Sequence, residues 1–404
     1  MSAHLSSSDI PQGFSFAATH SGLKRSRLDL GILISETPAV AAAVFTTNRV
    51  VAAPVIASRE HLKKSKQMMR GVIVNSGNAN CCTHEDGYPA SIATAARLAE
   101  ELGDTAAREF VVCSTGVIGA PLRVEKILAA VPQLVQSRNA DPGAFEEFAR
   151  SIMTTDTRPK WSAARCRLGG KEARILGCAK GSGMIQPNMA TMLSFIATDA
   201  AISAPALQRA LQSAVSSTFN CITVDGDTST NDTVALFANG QSGGAKIAKG
   251  GVDYKTFCAA LERVCQELAL AIVADGEGAQ RVIAIEVRGA SSDEAADRIA
   301  RTVANSPLVK TAFAGADPNW GRILAAAGRS GAEFDPARTN IWIGGVAVCR
   351  GGREMTFDEA AAHQKMLEKS VHVRIDVGSG PGAARLWTCD FTQEYVHINA
   401  SYRT

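Results

Sequence analysis

The sequence predicts a mixed α/β fold, and three observations carry the prediction. Two strand–helix passages follow one another early in the chain. Strand Gly71–Asn75 runs into the polar turn Ser76-Gly77-Asn78-Ala79-Asn80 and a helix over Pro89–Leu102; strand Phe110–Cys113 then ends at Ser114-Thr115-Gly116. A long amphipathic helix is expected over Tyr254–Asp275, where Phe257, Leu261, Val264, Leu268 and Ile272 recur at three- and four-residue steps. Finally, 46% of residues are apolar but only 5% aromatic, so a large core built from Ala, Val, Ile and Leu is expected.

The remaining elements follow in order. Leu28–Ser35 and Val40–Phe45 are short apolar strands parted by turn residues. Ala140–Pro142 is a loop between helices. Met184–Thr198 is apolar and broken by Pro187, and Ala204–Thr218 has helical spacing. Ile222–Val224 is a short strand entering the acidic loop Asp225–Asp232. Strand Val282–Val287 precedes a helix at Ser292–Val303. Strand Asn340–Val348 is followed by a helix whose capping box is Thr356 with Glu359. Three last strands are expected at Val371–Val377, Arg385–Cys389 and Tyr395–Asn399. The 404 residues allow two or three domains at roughly 100–200 residues each. No repeat or low-complexity linker marks their boundaries.

Charge and cysteine usage exclude several classes. The 42 basic and 39 acidic residues leave a net charge of +3, which offers nucleic acid or an anionic membrane no electrostatic footing. The ten cysteines include no C-x-x-C pair and the seven histidines are scattered, so no metal site and no cofactor is expected. Met1–Gln12 lacks the apolar stretch of a signal peptide, and no apolar run reaches the ~18 residues of a membrane span. The expectation is a soluble cytoplasmic protein with reduced thiols.

The most unusual stretch runs from Lys180 to Leu193: K-G-S-G-M-I-Q-P-N-M-A-T-M-L. The lysine precedes the glycines and no Gly-Lys-Ser/Thr follows, so it is not a phosphate-binding P-loop. Glycines permit tight turns, and one strained peptide before a hydroxyl suits an N-to-O acyl shift. On residue types alone, the plainer reading is favoured: a Gly-rich turn ahead of a buried strand with a core threonine.

The segment resembles the processing site of the ornithine acetyltransferases, the bifunctional glutamate N-acetyltransferases of arginine biosynthesis. Every fixed position of their K-G-x-G-M-x-x-P-x-M-A-T-M-L signature stands here. Further matching segments span almost the whole chain: Thr46-Thr47-Asn48, Val74–Asn80, Ser114–Gly116, Thr154–Lys160, Thr223–Thr233, Gly315–Arg322 and Asn399–Thr404. One departure is Cys81-Cys82-Thr83-His84, where that family more often has Ala-Cys-Thr-Gly.

The resemblance implies a layered α-β-β-α sandwich of the self-processing N-terminal-nucleophile type with a smaller C-terminal α/β domain at about 280–404. It implies self-cleavage between Ala190 and Thr191, giving fragments 1–190 and 191–404 that assemble as a heterotetramer or larger. Thr191 is then the nucleophile, with its new α-amine as base in place of a histidine. Thr115 and Gly116 match the oxyanion-hole positions, although a strand-ending turn also accounts for that glycine. Substrate contacts carry over at Thr154, Lys180, Thr191, Glu277, Asn399 and Thr404. Lys180 is suited to an α-carboxylate and Glu277 to the ornithine ammonium. The plainer readings are a solvated turn for Glu277 and a frayed terminus for Thr404. The implied reaction is ping-pong acetyl transfer from N²-acetyl-L-ornithine to L-glutamate, with acetyl-CoA as a further donor in some members.

Two rivals remain at this point. One is a self-processing aminopeptidase or amidase using the same threonine with water as acceptor. The other takes Thr223-Val224-Asp225-Gly226-Asp227 as a D-x-D phosphotransferase motif, with Asp225 as nucleophile and Mg²⁺ on both carboxylates. The preferred reading of that loop is an Asp/Thr-rich turn network supporting the nucleophile segment.

Overall fold

The computed structural model describes residues 5–186 and 192–401. The first sheet has eight strands: β1 (Phe14–Thr19), β2 (Leu30–Phe45), β3 (Met68–Asn78), β4 (Phe110–Val117), β5 (Lys160–Leu168), β6 (Lys171–Lys180), β7 (Leu193–Thr198) and β8 (Thr233–Ala238). Their order is β4-β3-β2-β8-β7-β6-β5, with β1 added against β2. The helices among them are α1 (Ala53–Lys64), α2 (Gly87–Leu102), α3 (Val124–Gln136), α4 (Pro142–Ser151), α5 (Ala204–Ser217) and α6 (Gly251–Ala274).

Side chains alternate along these strands, and the alternation sorts them into layers. Ile32 and Ile34 of β2, Ile73 of β3 and Val112 of β4 pack with Ala95 and Leu98 of α2 and with Ile127, Val131 and Leu134 of α3. Their neighbours Leu33, Val72, Val74 and Val111 turn the other way. They meet Leu176, Phe195, Ala197, Ala235 and Phe237 from the second half of the sheet. The opposite face of that half sends Ile175, Ile196, Val234 and Leu236 onto Leu207 and Leu211 of α5 and Leu261, Val264 and Leu268 of α6. The order is therefore helix, sheet, sheet, helix. At the middle layer's edge Phe148 of α4 packs against Phe195 at 5.8 Å, and Phe145 meets Phe16 edge-on at 5.0 Å.

The second sheet holds β9 (Val282–Ala290), β10 (Asn340–Ile343), β11 (Val346–Arg350), β12 (Arg353–Glu354), β13 (Ser370–Asp376) and β14 (Gly382–Cys389), in the order β12-β11-β10-β13-β9-β14. Its helices are α7 (Asp293–Ala304), α8 (Pro307–Ala314), α9 (Trp320–Gly328), α10 (Glu359–Met366) and α11 (Gln393–Ser401). Ile299 and Val303 of α7 share a core with Ile285, Val373 and Leu386. Among the described residues no helix is long and apolar enough to cross a membrane.

Several expected elements take another form. The two segments at Leu28–Ser35 and Val40–Phe45 are one sixteen-residue strand, β2, whose pairing with β3 is irregular between Ile34 and Ala39. Ile222–Val224 is not a strand; it makes a single bridge from Ile222 to Trp387. The segment Asn340–Val348 is a hairpin, because Gly344 and Gly345 adopt φ of 57° and 85° and turn the chain. The N-cap of α10 is Asp358, which accepts from Ala361 N–H at 2.9 Å, rather than Thr356. Tyr395–Asn399 is helix, not strand. Its four-residue spacing places Tyr395 and Asn399 on one face, where both line a cavity.

The departure at residues 81–84 has a backbone consequence. Cys82 and His84 sit at φ of 56° and 49°, the left-handed region that favours glycine. His84→Gly is expected to stabilise the protein by about 0.5–1 kcal/mol, the relieved strain being partly offset by a freer unfolded chain. Urea titration measures this, and an unchanged or lowered midpoint would show that His84 bears no strain.

Candidate active site

Thr115, Gly116, Thr154, Lys180, Glu277 and Asn399 line one cavity of about 160 Å³. They arrive from five separate places in the chain. Ala190, Thr191 and Thr404 lie outside the described residues. Ile185, two residues before the undescribed segment, and Met192, directly after it, both line the cavity.

The end of β4 supplies Thr115 and Gly116, paired with Ser76 and Gly77 of β3. Gly116 has φ of 131°, and a Cβ there would lie 2.4 Å from the Gly77 carbonyl carbon. No other residue fits without moving the neighbouring strand. Lys180 ends β6 and is buried. Its Nζ donates to Thr115 Oγ1 at 3.2 Å. A lysine ammonium only donates, so the Thr115 hydroxyl is an acceptor in this bond and its own hydrogen remains free to be given elsewhere. Burial lowers the Lys180 pKa, while the carboxylates of Asp156 and Asp232 oppose the shift.

Asp156 was not singled out from the sequence, although it stands inside the matching segment Thr154–Lys160. Its Oδ2 accepts from Thr154 N–H at 2.8 Å and its Oδ1 from Gly181 N–H at 2.7 Å, so one carboxylate fixes two stretches of the cavity wall. Lys160 Nζ bridges Asp156 and Asp275 at 2.6 Å each. Burial works against ionisation of Asp156, but the ammonium groups of Lys160 and Lys180 and the Gly181 amide outweigh it. They hold its carboxyl below the usual range. Asp275 also accepts the backbone and hydroxyl of Thr157, and its own carbonyl receives Ser182 Oγ at 2.6 Å.

Glu277 is buried, not a solvated turn residue, and accepts Asn399 Nδ2 at 2.7 Å. A Cβ on Gly183 would lie 2.4 Å from its carboxyl carbon, so the absence of a side chain there makes room for Glu277. The acidic loop closes the other side. Asp225 accepts Met184 N–H at 2.6 Å and Ile185 N–H at 2.9 Å, with Tyr395 Oη at 3.5 Å. Its carboxylate is thus spent on the backbone just before the undescribed segment. Burial raises its pKa despite those amides. Asn231 donates to Ala79 and Ser114 carbonyls at 2.6 and 2.8 Å and ties β8 to the β4 end.

Asp232 is a second candidate that no sequence motif marks as functional. It is buried in the cavity wall, its Oδ2 has no hydrogen-bond partner among the described residues, and burial raises its pKa well above the ordinary value. A folded-state pKa above the unfolded value costs stability as pH rises through that interval. Asp232→Asn is therefore expected to stabilise the fold at neutral pH by about 1–3 kcal/mol while leaving acid stability little changed. Melting temperatures across pH 3–8, an experimental range of about five units, test this; a uniform loss of stability would contradict it.

A model of the ArgJ family matches residues 15–404. The chain belongs to the ArgJ family. ArgJ proteins are multifunctional acyltransferases of arginine biosynthesis. The arginine biosynthesis bifunctional protein ArgJ of Thermotoga neapolitana is 47% identical over 399 residues, covering 98% of this chain and 100% of that one. The crystal structure of the ArgJ protein from Bacillus halodurans is 42% identical with a TM-score of 0.51, covering 52% of this chain and 100% of that chain. The ornithine acetyltransferase of Mycobacterium tuberculosis, solved with ornithine, is 38% identical with a TM-score of 0.39, covering 45% of this chain and 95% of that one.

Proposed function

We propose that this ArgJ protein transfers acetyl from N²-acetyl-L-ornithine to L-glutamate through an acetyl-Thr191 intermediate, after cutting itself between Ala190 and Thr191. The observation that carries the reading is the convergence of Thr115, Gly116, Thr154, Lys180, Glu277 and Asn399 on one small cavity bounded by Ile185 and Met192.

In this reading Thr191 Oγ attacks the Ala190 carbonyl, an ester replaces the peptide, and water releases the upstream chain. The freed α-amine has a reference pKa of about 7.7–8.0 and is partly neutral near pH 7, so it serves as the base. In turnover Oγ takes the acetyl group and ornithine leaves; the glutamate amine then attacks the acetyl ester. The free Thr115 hydroxyl hydrogen and the Gly116 N–H stabilise the oxyanion of both steps. Lys180 pairs with the α-carboxylate shared by both amino acids, and Glu277, steadied by Asn399, meets the ornithine ammonium. Thr154 and the Thr404 terminus complete the substrate contacts.

The precursor is read as two fragments, 1–190 and 191–404, the second including the smaller α/β unit at about 280–404. That a solved relative's entire chain covers 52% of this one supports such a division. Assembly as a heterotetramer or larger, and a cytoplasmic location, belong to the same proposal.

Mass spectrometry after incubation with acetylornithine tests it. One added acetyl group is expected on the peptide beginning at Thr191, and glutamate should discharge it. No adduct, or an adduct lost equally fast to water alone, would overturn the transfer mechanism.

A further inference from the structure

Two cysteines stand side by side just past the end of β3. Cys81 is buried in a cluster with Ala52, Val55 and Ala79, against which Phe45, Val51 and Ile118 pack. Cys82 is exposed. Consecutive side chains of an extended chain point to opposite faces, which would part the two thiols. Here Cys82 takes φ of 56°, and the two Sγ atoms lie 3.8 Å apart.

The pair is tied to the wall of the cavity. Ala79 N–H donates to the Val117 carbonyl and Gly119 N–H to the Cys81 carbonyl, at 2.9 Å each, so the two chains stay paired beyond β3 and β4. Ala79 and Ile118 line the cavity beside Thr115 and Gly116. Thr230, on the same wall, hydrogen-bonds the Cys81 thiol, whose pKa burial pushes up. Joining the two sulfurs demands a change in the backbone. A disulfide sets its sulfurs at about 2.05 Å and its Cα atoms usually about 4.4–6.8 Å apart, whereas a trans peptide holds adjacent Cα atoms at about 3.8 Å. The ring closes only if the Cys81–Cys82 peptide turns. The oxygen of that peptide is the acceptor of Gly119 N–H. Closure therefore loosens the rung next to the Thr115–Gly116 turn, and the strained bond is readily reduced again.

We propose that Cys81 and Cys82 are a reversible oxidation site, which a small disulfide of the glutathione class closes into a disulfide between adjacent residues, slowing acetyl transfer. The exposed Cys82 meets the oxidant first. Its Sγ, having given up its proton, attacks one sulfur of the small disulfide. That S–S bond breaks, one thiol leaves, and Cys82 carries the other half as a mixed disulfide. Cys81 Sγ then loses its proton and attacks Cys82 Sγ, expelling the second thiol. The two protein sulfurs are oxidised by one electron each, and the two small-molecule sulfurs are reduced by one each. The effect on rate rests on the acyl-transfer reading of the cavity; formation of the bond does not.

Peptide mass spectrometry and acetylornithine–glutamate exchange, measured on the same samples, provide the test. In the unaltered protein incubated with glutathione disulfide, the peptide holding both cysteines should lose two hydrogens and carry no glutathione. Its kcat should fall at least ~10-fold, short of the ~10²–10³ of a lost oxyanion-hole donor. Dithiothreitol should restore both. Cys81→Ala, with the alanine more usual in this family, should turn over normally before treatment. Afterwards it should hold glutathione on Cys82 and keep most of its rate. Cys82→Ser should acquire neither the internal bond nor an adduct here. No modification of either cysteine in the unaltered protein, or glutathione on Cys82 with Cys81 left free, would overturn the proposal. So would full turnover with the internal bond formed, or an equal loss of rate in Cys81→Ala. Absence of exchange in the reduced protein would strike instead at the acyl-transfer reading, and the masses would still decide whether the bond forms.

Discussion

Thr191→Ala is expected to migrate as one intact chain and to show no acetyl transfer. Under the proposed mechanism the effect is large because one hydroxyl would serve two reactions. Without it no ester forms at residue 190, so no α-amine is released; and an alanine at a pre-cut terminus would still offer no oxygen to acetylate. Loss of a covalent nucleophile with its paired base costs on the order of 10⁶ in kcat where it has been measured in a serine hydrolase. Denaturing gels followed over days, together with acetylornithine turnover, give the answer. A cleaved product would remove Thr191 from processing, and normal turnover would remove it from catalysis. Thr191→Ser is the companion variant: it keeps the hydroxyl and should retain both activities in part.

Gly116→Ala is expected to lower kcat by about 10²–10³, the effect of removing one oxyanion-hole donor. The added Cβ would press on the Gly77 carbonyl carbon at 2.4 Å and on Asn78 N at 2.6 Å, both backbone atoms of the paired strand. At φ of 131° alanine is strained as well. The end of β4 must shift, and its amide turns away from the cavity. A stability loss of about 1–3 kcal/mol should accompany this, so the kinetic assay belongs well below the melting temperature. Thr115→Ala separates the two effects. It removes a hydroxyl without backbone strain and should reduce kcat while leaving the melting temperature within a few degrees. If Thr115→Ala turns over normally and Gly116→Ala merely unfolds earlier, the oxyanion assignment fails.

Much of the layered architecture could be read from local pattern. Helix α6 is marked by Phe257, Leu261, Val264, Leu268 and Ile272, all of which are buried. Strands β3, β4 and β9 stand out as apolar runs beside turn residues. Misreadings arose where local signals conflict. Tyr395–Asn399 alternates polar and apolar residues as a strand would, yet as a helix it directs Tyr395 and Asn399 together into the cavity. Gly344-Gly345 was a visible turn signal inside an otherwise strand-like run. The candidate site was legible only through resemblance, since no spacing rule links Thr115, Lys180 and Glu277. Asp156 and Asp232 escaped notice for a similar reason. Asp156 matters because Gly181 is 25 residues away in sequence and one hydrogen bond away in space. Asp232 matters because its Oδ2 meets no donor among the described residues, which is a property of the packed fold alone.

The undescribed stretch lies between β6 and β7, two antiparallel neighbours that pair from Lys180–Leu193 to Ile175–Thr198. β2, from the first half of the chain, likewise pairs with β8 from the second over Val40–Phe45. A break at residue 190 would therefore remove a covalent link but no rung of the sheet. The second product's β8 and β7 would lie side by side between β2 and β6 of the first, each product completing the other's hydrogen bonds. Dilution alone should not part them, and neither piece owns a finished middle layer. In engineering terms, the enzyme would be a naturally split protein whose halves are held by complementation, and separately expressed halves should regain structure only when they meet before either has collapsed.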